Sequence, residues 1–137
     1  MNPYVAYKQQ TVSTLTPVEI VIRGYDECEK QLNRAILYIE SKEYVEAHKA
    51  LDKASELVLA FRTSLDMQAG GEISQNLDAL YGYYFQQIIE ADMKKDVSKL
   101  QAILPDIAEL RDAFVQISVM PKGNFMAAGN VLTGTAG

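Results

Sequence analysis

Hydrophobic side chains recur three and four residues apart over four stretches of the chain, and no stretch of useful length alternates as a strand would. The first opens on Thr16-Pro17-Val18-Glu19. Its hydroxyl suits a helix cap, its proline the first helical position, and Glu19 can return a bond to the cap residue. The stripe continues through Val21, Tyr25, Cys28, Leu32, Ala35 and Ile39. A break at Ser41-Lys42-Glu43 separates it from a second stripe of Tyr44, Ala47, Leu51, Ala54, Val58, Phe61 and Leu65. The third runs from Glu72 to about Met93, with Ile73, Leu77, Leu80, Tyr84, Ile88 and Ala91 expected inward. Asp96 is a candidate cap for the fourth, along which Leu100, Ile103, Ile107, Leu110, Phe114 and Ile117 recur.

Gly70-Gly71 interrupts the pattern between the second and third stripes. Glycine tolerates positive φ, so the pair is expected to end the second helix in a left-handed cap, with Glu72 in the first turn of the next. Helices of about 24 residues would be about 36 Å long. Short connections then force each helix antiparallel to its neighbour, giving an all-α, up-down-up-down four-helix bundle over residues 16–119. Pro105 predicts a kink or a short broken turn near Leu100 to Leu104. Residues 1–15, with Lys8 as their single charge around Tyr4 and Tyr7, read as an extended N-terminal arm. Residues 120–137, rich in Gly and small side chains, read as a flexible C-terminal tail.

A chain of 137 residues with 48% hydrophobic composition is expected to form one domain around one substantial core. The net charge of −5 argues against nucleic acid as a partner, and the Lys94-Lys95 pair is offset by Asp92 and Asp96. Cys28 is the only cysteine, which rules out an intramolecular disulfide and fits a reducing compartment. The start M-N-P-Y-V-A-Y-K-Q-Q lacks the cationic and apolar regions of a secretion signal. The longest fully apolar run, Leu57 to Phe61, is far below the roughly 20 residues of a spanning helix. These features predict a cytoplasmic protein with no membrane insertion.

Catalytic chemistry has little to build on. His48 is the only histidine, and the Glu-x-x-His motif of di-iron bundles fails because Val45 stands at the Glu position. Asp52, one turn after His48, could act as its orienter, but such i,i+4 pairs are ordinary on helix surfaces. Cys28 lies on the seam of the first helix, where a buried inert thiol is expected rather than a nucleophile. Gly70-Gly71 lacks the following Lys and preceding strand of a phosphate loop. No enzyme activity, cofactor or metal is expected.

The third and second helices carry more apolar side chains than a bundle seam needs. Ala50, Leu57 and Leu59 on the second, and Tyr81, Phe85 and Ile89 on the third, widen the stripe. Such surface calls for a cover: the arm or the tail, a second copy of the chain, or a foreign apolar segment docked helix-in-groove.

The order of several motifs resembles the flagellar secretion chaperone FliS family. They are Asn2-Pro3-Tyr4 with Tyr7, Thr16-Pro17, Tyr25-Asp26, Leu65-Asp66-Met67 to Gly70-Gly71-Glu72-Ile73, Asn76-Leu77 and Leu80-Tyr81. Ala91-Asp92 ahead of Lys95-Asp96, and Leu110-Arg111-Asp112-Ala113-Phe114, complete the set. The likeness runs from residue 2 to about 118. It departs at Glu27, where the family often has glycine, at Phe114, where tryptophan is common, and at Pro105.

The resemblance implies an antiparallel helical bundle that binds the disordered C-terminal segment of flagellin in apolar grooves. Binding would prevent premature polymerisation in the cytosol and precede delivery to the flagellar export gate. The expected partner-binding residues are Leu57, Tyr81, Phe85 and Ile89 for the client, with Tyr4 and Tyr7 carried over for the arm and the gate. The competing reading is a self-associating helical regulator or structural bundle with no flagellin client, including a homodimer in the absence of client.

Overall fold

The computed structural model describes residues 15–119; the arm residues Tyr4 and Tyr7 and the tail 120–137 lie outside the described residues. Four helices follow in order: α1 (Pro17–Glu40), α2 (Tyr44–Thr63), α3 (Gly71–Lys94) and α4 (Val97–Ser118). Each packs on the next, and α4 closes on α1, so the chain goes once around an antiparallel four-helix bundle. The two caps read from sequence are in place. Thr16 Oγ1 accepts the Glu19 N–H at 3.2 Å with Pro17 at the first helical position, and Asp96 accepts the Ser98 N–H at 3.0 Å. Lys42 (φ 62°) and Lys95 (φ 53°) take left-handed conformations that turn the chain between α1 and α2 and between α3 and α4.

The core is a column of buried apolar side chains running through all four helices. Its widest layer is aromatic. The Tyr25 ring lies 4.6 Å from Phe61 and 5.4 Å from Phe114, and Phe61 lies 5.7 Å from Tyr81. Aromatic rings at such centroid distances add to simple burial. Tyr25 and Tyr81 also hydrogen-bond hydroxyl to hydroxyl, so two polar tips satisfy each other at the centre. The motif residues Tyr25-Asp26 and Arg111-Phe114 meet here: Asp26 pairs with the Arg111 guanidinium across α1 and α4, above the Tyr25–Phe114 stack.

Three expectations are corrected. First, α3 is rotated from the stripe read in sequence. Ile73 and Leu80 face outward, 61% and 37% exposed, while Ser74, Leu77, Tyr81, Tyr84, Ile88 and Ala91 face the core. The rotation is stabilised by polar partners that a hydrophobicity pattern does not register: Tyr81 finds Tyr25, and Ser74 Oγ donates to the Asp66 carbonyl at 2.9 Å. On α2, Tyr44 is likewise exposed and stands against Lys95, whereas Ala50 is core. Second, α4 has no broken turn at Leu100 to Leu104 and runs as one helix through Pro105. Pro105 and Gln101, the residue whose carbonyl it leaves without a donor, both lie on the exposed face, where that carbonyl is not shut away from solvent.

Third, the glycine corner works from the other side. α2 ends at Thr63 with Ser64 in right-handed geometry, and Leu65 and Met67 belong to the connection. Asp66 organises that connection, its carboxylate accepting the Gln68 and Ala69 N–H groups at 3.0 and 2.9 Å. Gly70 precedes α3 at φ −83°, and Gly71 alone is left-handed, at φ +52°. Gly70 is needed for space: a Cβ there would stand 1.7 Å from Ser74 Oγ and 3.0 Å from the Asp66 carbonyl. Gly70→Ala should therefore break the Ser74–Asp66 bond and lower unfolding free energy by about 1–3 kcal/mol. Urea denaturation measures it; an unchanged midpoint would mean that the corner yields freely.

Candidate functional site

Ion pairs across the helix seams fix which flank of each helix faces which neighbour. Between α2 and α3, Arg62 Nε donates to Asp78 Oδ1 at 2.7 Å and His48 Nδ1 meets Asp92 Oδ2 at 2.6 Å. Between α3 and α4, Lys99 Nζ stands 2.9 Å from Glu90. The Arg62 hydrogen bond holds the Asp78 carboxyl below the usual carboxylate range. Burial raises the Asp92 carboxyl, but hydrogen bonds from Lys95 and His48 outweigh it and keep the group lowered.

This frame places the expected contact residues in three different environments. Phe85 lies seven residues from both Asp78 and Asp92, two helical turns either way, so it shares their flank beside α2. Ile89 and Met93 follow one turn apart toward solvent. Together with Gln86, Glu90 and Lys94 they line an open concavity of about 490 Å³ along the outside of α3. Phe85 is half-buried, Ile89 is exposed, and Met93 is 76% exposed. Across the seam, Leu59 lies three residues before Arg62 and Val45 three before His48; both are exposed beside the same seam.

Leu57 is elsewhere. It is half-buried on the α1 side of α2, in a separate shallow concavity with Glu27, Lys53 and Glu56. Tyr81 is corrected outright from groove to core, since it is fully buried with its hydroxyl bonded to Tyr25. Tyr4 and Tyr7 lie outside the described residues. Sequence reasoning named Phe85 and Ile89 but left Met93 out of the contact set. The signal was there in the i, i+4, i+8 spacing of the three.

The remaining chemistry is that of a surface. His48 pairs with Asp92 across the seam rather than with Asp52, as side-chain length and the α2–α3 approach dictate. Among the described residues no group of three His, Cys, Asp or Glu side chains could hold a metal ion. Cys28 is buried, and burial pushes its thiol up to about 12, far from nucleophilic range. None of the described helices is long and apolar enough to cross a membrane.

The fold and the site together define an antiparallel helical bundle with an apolar flank along the outside of one helix. Comparison with known proteins gives that class a family. The model for "Flagellar protein FliS" matches residues 1–121. The flagellar secretion chaperone FliS of Bacillus subtilis is 30% identical over 115 residues, covering 84% of this chain and 85% of that protein. Its counterpart in Salmonella typhimurium is 28% identical over 118 residues, covering 85% and 86%. That of Vibrio cholerae is 37% identical over 67 residues, 49% of each chain. The chain belongs to the FliS family, and these relatives are flagellar secretion chaperones.

Proposed function

We propose that this protein is a cytoplasmic export chaperone that takes up the disordered C-terminal segment of flagellin, blocks its premature polymerisation and passes it to the flagellar export gate. The observation that carries this reading is the stripe of half-buried Phe85 and exposed Ile89 and Met93 on α3, with exposed Leu59 and Val45 across the α2 seam, in a chain of this family. An amphipathic client helix laid there exchanges water for apolar contact on both sides. Folding on the chaperone buries on the order of 1,000–3,000 Å² and costs the client roughly 2–5 kcal/mol or more of ordering. That cost keeps binding reversible, as later release demands. In this scheme the bundle of residues 16–119 holds the client, the arm of residues 1–15 presents Tyr4 and Tyr7 near the groove and the gate, and Leu57 extends the contact on the α1 side.

Phe85→Asp tests the assignment. It removes a half-buried side chain from the edge of the core rather than its centre, so affinity for a flagellin C-terminal peptide should fall about ten- to a hundred-fold, the worth of roughly 1.5–3 kcal/mol of burial. The circular dichroism spectrum should stay helical. Calorimetry that finds undiminished binding would sink the flank as the client site, and a constitutive dimer insensitive to peptide in sedimentation would favour the self-associating reading.

A further inference from the structure

A second apolar surface lies on the opposite flank of α3. Ile73, Leu80 and Tyr83 are exposed on the side that faces α4, in the N-terminal half of the helix, whereas the client stripe occupies the C-terminal half on the α2 side. Seven residues and then three separate them, so they form one row. One ion pair sets its register against α4: Lys99 stands 2.9 Å from Glu90. In an antiparallel pair this sets Tyr83 level with Asp106, Leu80 level with Glu109, and Ile73 level with Gln116 and Ile117. Val119, exposed at the end of α4, stands just beyond Ile73. Asp106 and Glu109 are exposed and make no ion pair among the described residues, while the nearby Glu90 is neutralised by Lys99. The row is thus apolar but for Asn76, between Ile73 and Leu80, and has an acidic border.

We propose that residues 120–137 of this chain are the occupant of this row, running back from Val119 along the α3/α4 flank with Phe125 and Met126 against Leu80 and Tyr83. Three features of the segment match the surface. Its only charged side chain is Lys122, opposite in sign to the border formed by Asp106 and Glu109. Its reach is right. From Val119 back to the level of Tyr83 is about 20 Å of helix at 1.5 Å per residue, and six extended residues from Val119 to Phe125 span about 20 Å. Four of its residues near Phe125, Gly123, Ala127, Ala128 and Gly129, are small enough to lie flat on a helix surface. The face is separate from the client stripe, and the proposal does not depend on what the protein exports.

Cys28 is the only native cysteine and is buried, so a spin label on the full chain carrying Asn124→Cys goes to one place. The expected result is a several-fold loss of methyl signal intensity at Ile73 and Leu80, with Leu37 at the far end of α1 unaffected. Adding Phe125→Asp to the labelled chain should restore those intensities. Equal intensities at Ile73, Leu80 and Leu37 would overturn the proposal. So would broadening that also appears when labelled chain is mixed with unlabelled, isotope-enriched chain, because a second copy would then be the cover. No flagellin peptide is present in the experiment, so its outcome is independent of the client assignment.

Discussion

Tyr81→Ala is expected to remove about 3–5 kcal/mol from the stability of the bundle, a large share of the roughly 5–15 kcal/mol typical of a domain. Two costs combine. The ring of Tyr81 is fully buried against Phe61, and deleting it opens a cavity in the aromatic layer that Tyr25, Phe61 and Phe114 are already packed too closely to refill. Its hydroxyl is the partner of Tyr25, so the substitution also strands a buried phenol, which by itself costs about 1–3 kcal/mol. Tyr81→Phe should show the second cost alone. Chemical denaturation of the two variants separates them, and the comparison bears directly on function. If Tyr81→Ala folds as well as the parent but loses peptide binding, the residue belongs to a groove after all. The expected pattern is the reverse of that for Phe85→Asp, which should keep the fold and lose the client.

That contrast marks where the sequence stops being informative. Helix existence, the starts of α1 and α4 and the antiparallel order follow from local chemistry, and local chemistry is written in consecutive residues: Thr16-Pro17 and Asp96 cap the helices they precede, and short turns at residues 41–43 and 95–96 force antiparallel neighbours. The rotation of α3 about its own axis is different. Ile73-Leu77-Leu80-Tyr84 and Ser74-Leu77-Tyr81-Tyr84 both repeat at three and four, and hydrophobicity favours the first. Burial goes to the second because Tyr81 and Ser74 find hydrogen-bond partners in Tyr25 and Asp66, 56 and 8 residues away in sequence. No periodicity encodes that. The same displacement explains the candidate contacts. Rotating α3 takes Tyr81 out of the surface, puts Leu80 into it, and leaves Phe85 and Ile89 where the wide apolar stripe had suggested. Leu57, expected to be surplus to its own seam, is half-buried against the core on the α1 side of α2, a matter of which side of α2 each helix occupies.

The same buried hydroxyls predict that the bundle is sensitive to alkali. Burial first, and the neighbouring Tyr81 second, raise the Tyr25 phenol far above its ordinary value. Burial pushes Tyr81 up to about 12 against the lowering effect of the Tyr25 hydrogen bond, and raises Tyr84 to about 12 with Asp106 adding to it. The Cys28 thiol, pushed up to about 12 by burial, belongs to the same layer of α1. In the unfolded chain these groups ionise near their ordinary values, about 8.5 for the thiol and about 10 for the phenols. Each folded value is raised, so the stability linked to it is fully present below the unfolded value and is lost as pH climbs toward the folded one. Each group contributes a slope approaching about 1.4 kcal/mol per pH unit in that window. With three phenols and a thiol acting together, the urea midpoint should be level up to about pH 8 and then fall steeply above about pH 10, with cooperative unfolding by about pH 12. Tyrosinate absorbance followed beside helicity is the measurement. Its buried fraction should appear only as the helices melt, and in Tyr25→Phe the decline should be shallower. If the phenols ionise near pH 10 while the helices stay intact, the aromatic layer is open to water and cannot be the structural centre on which α3 is held.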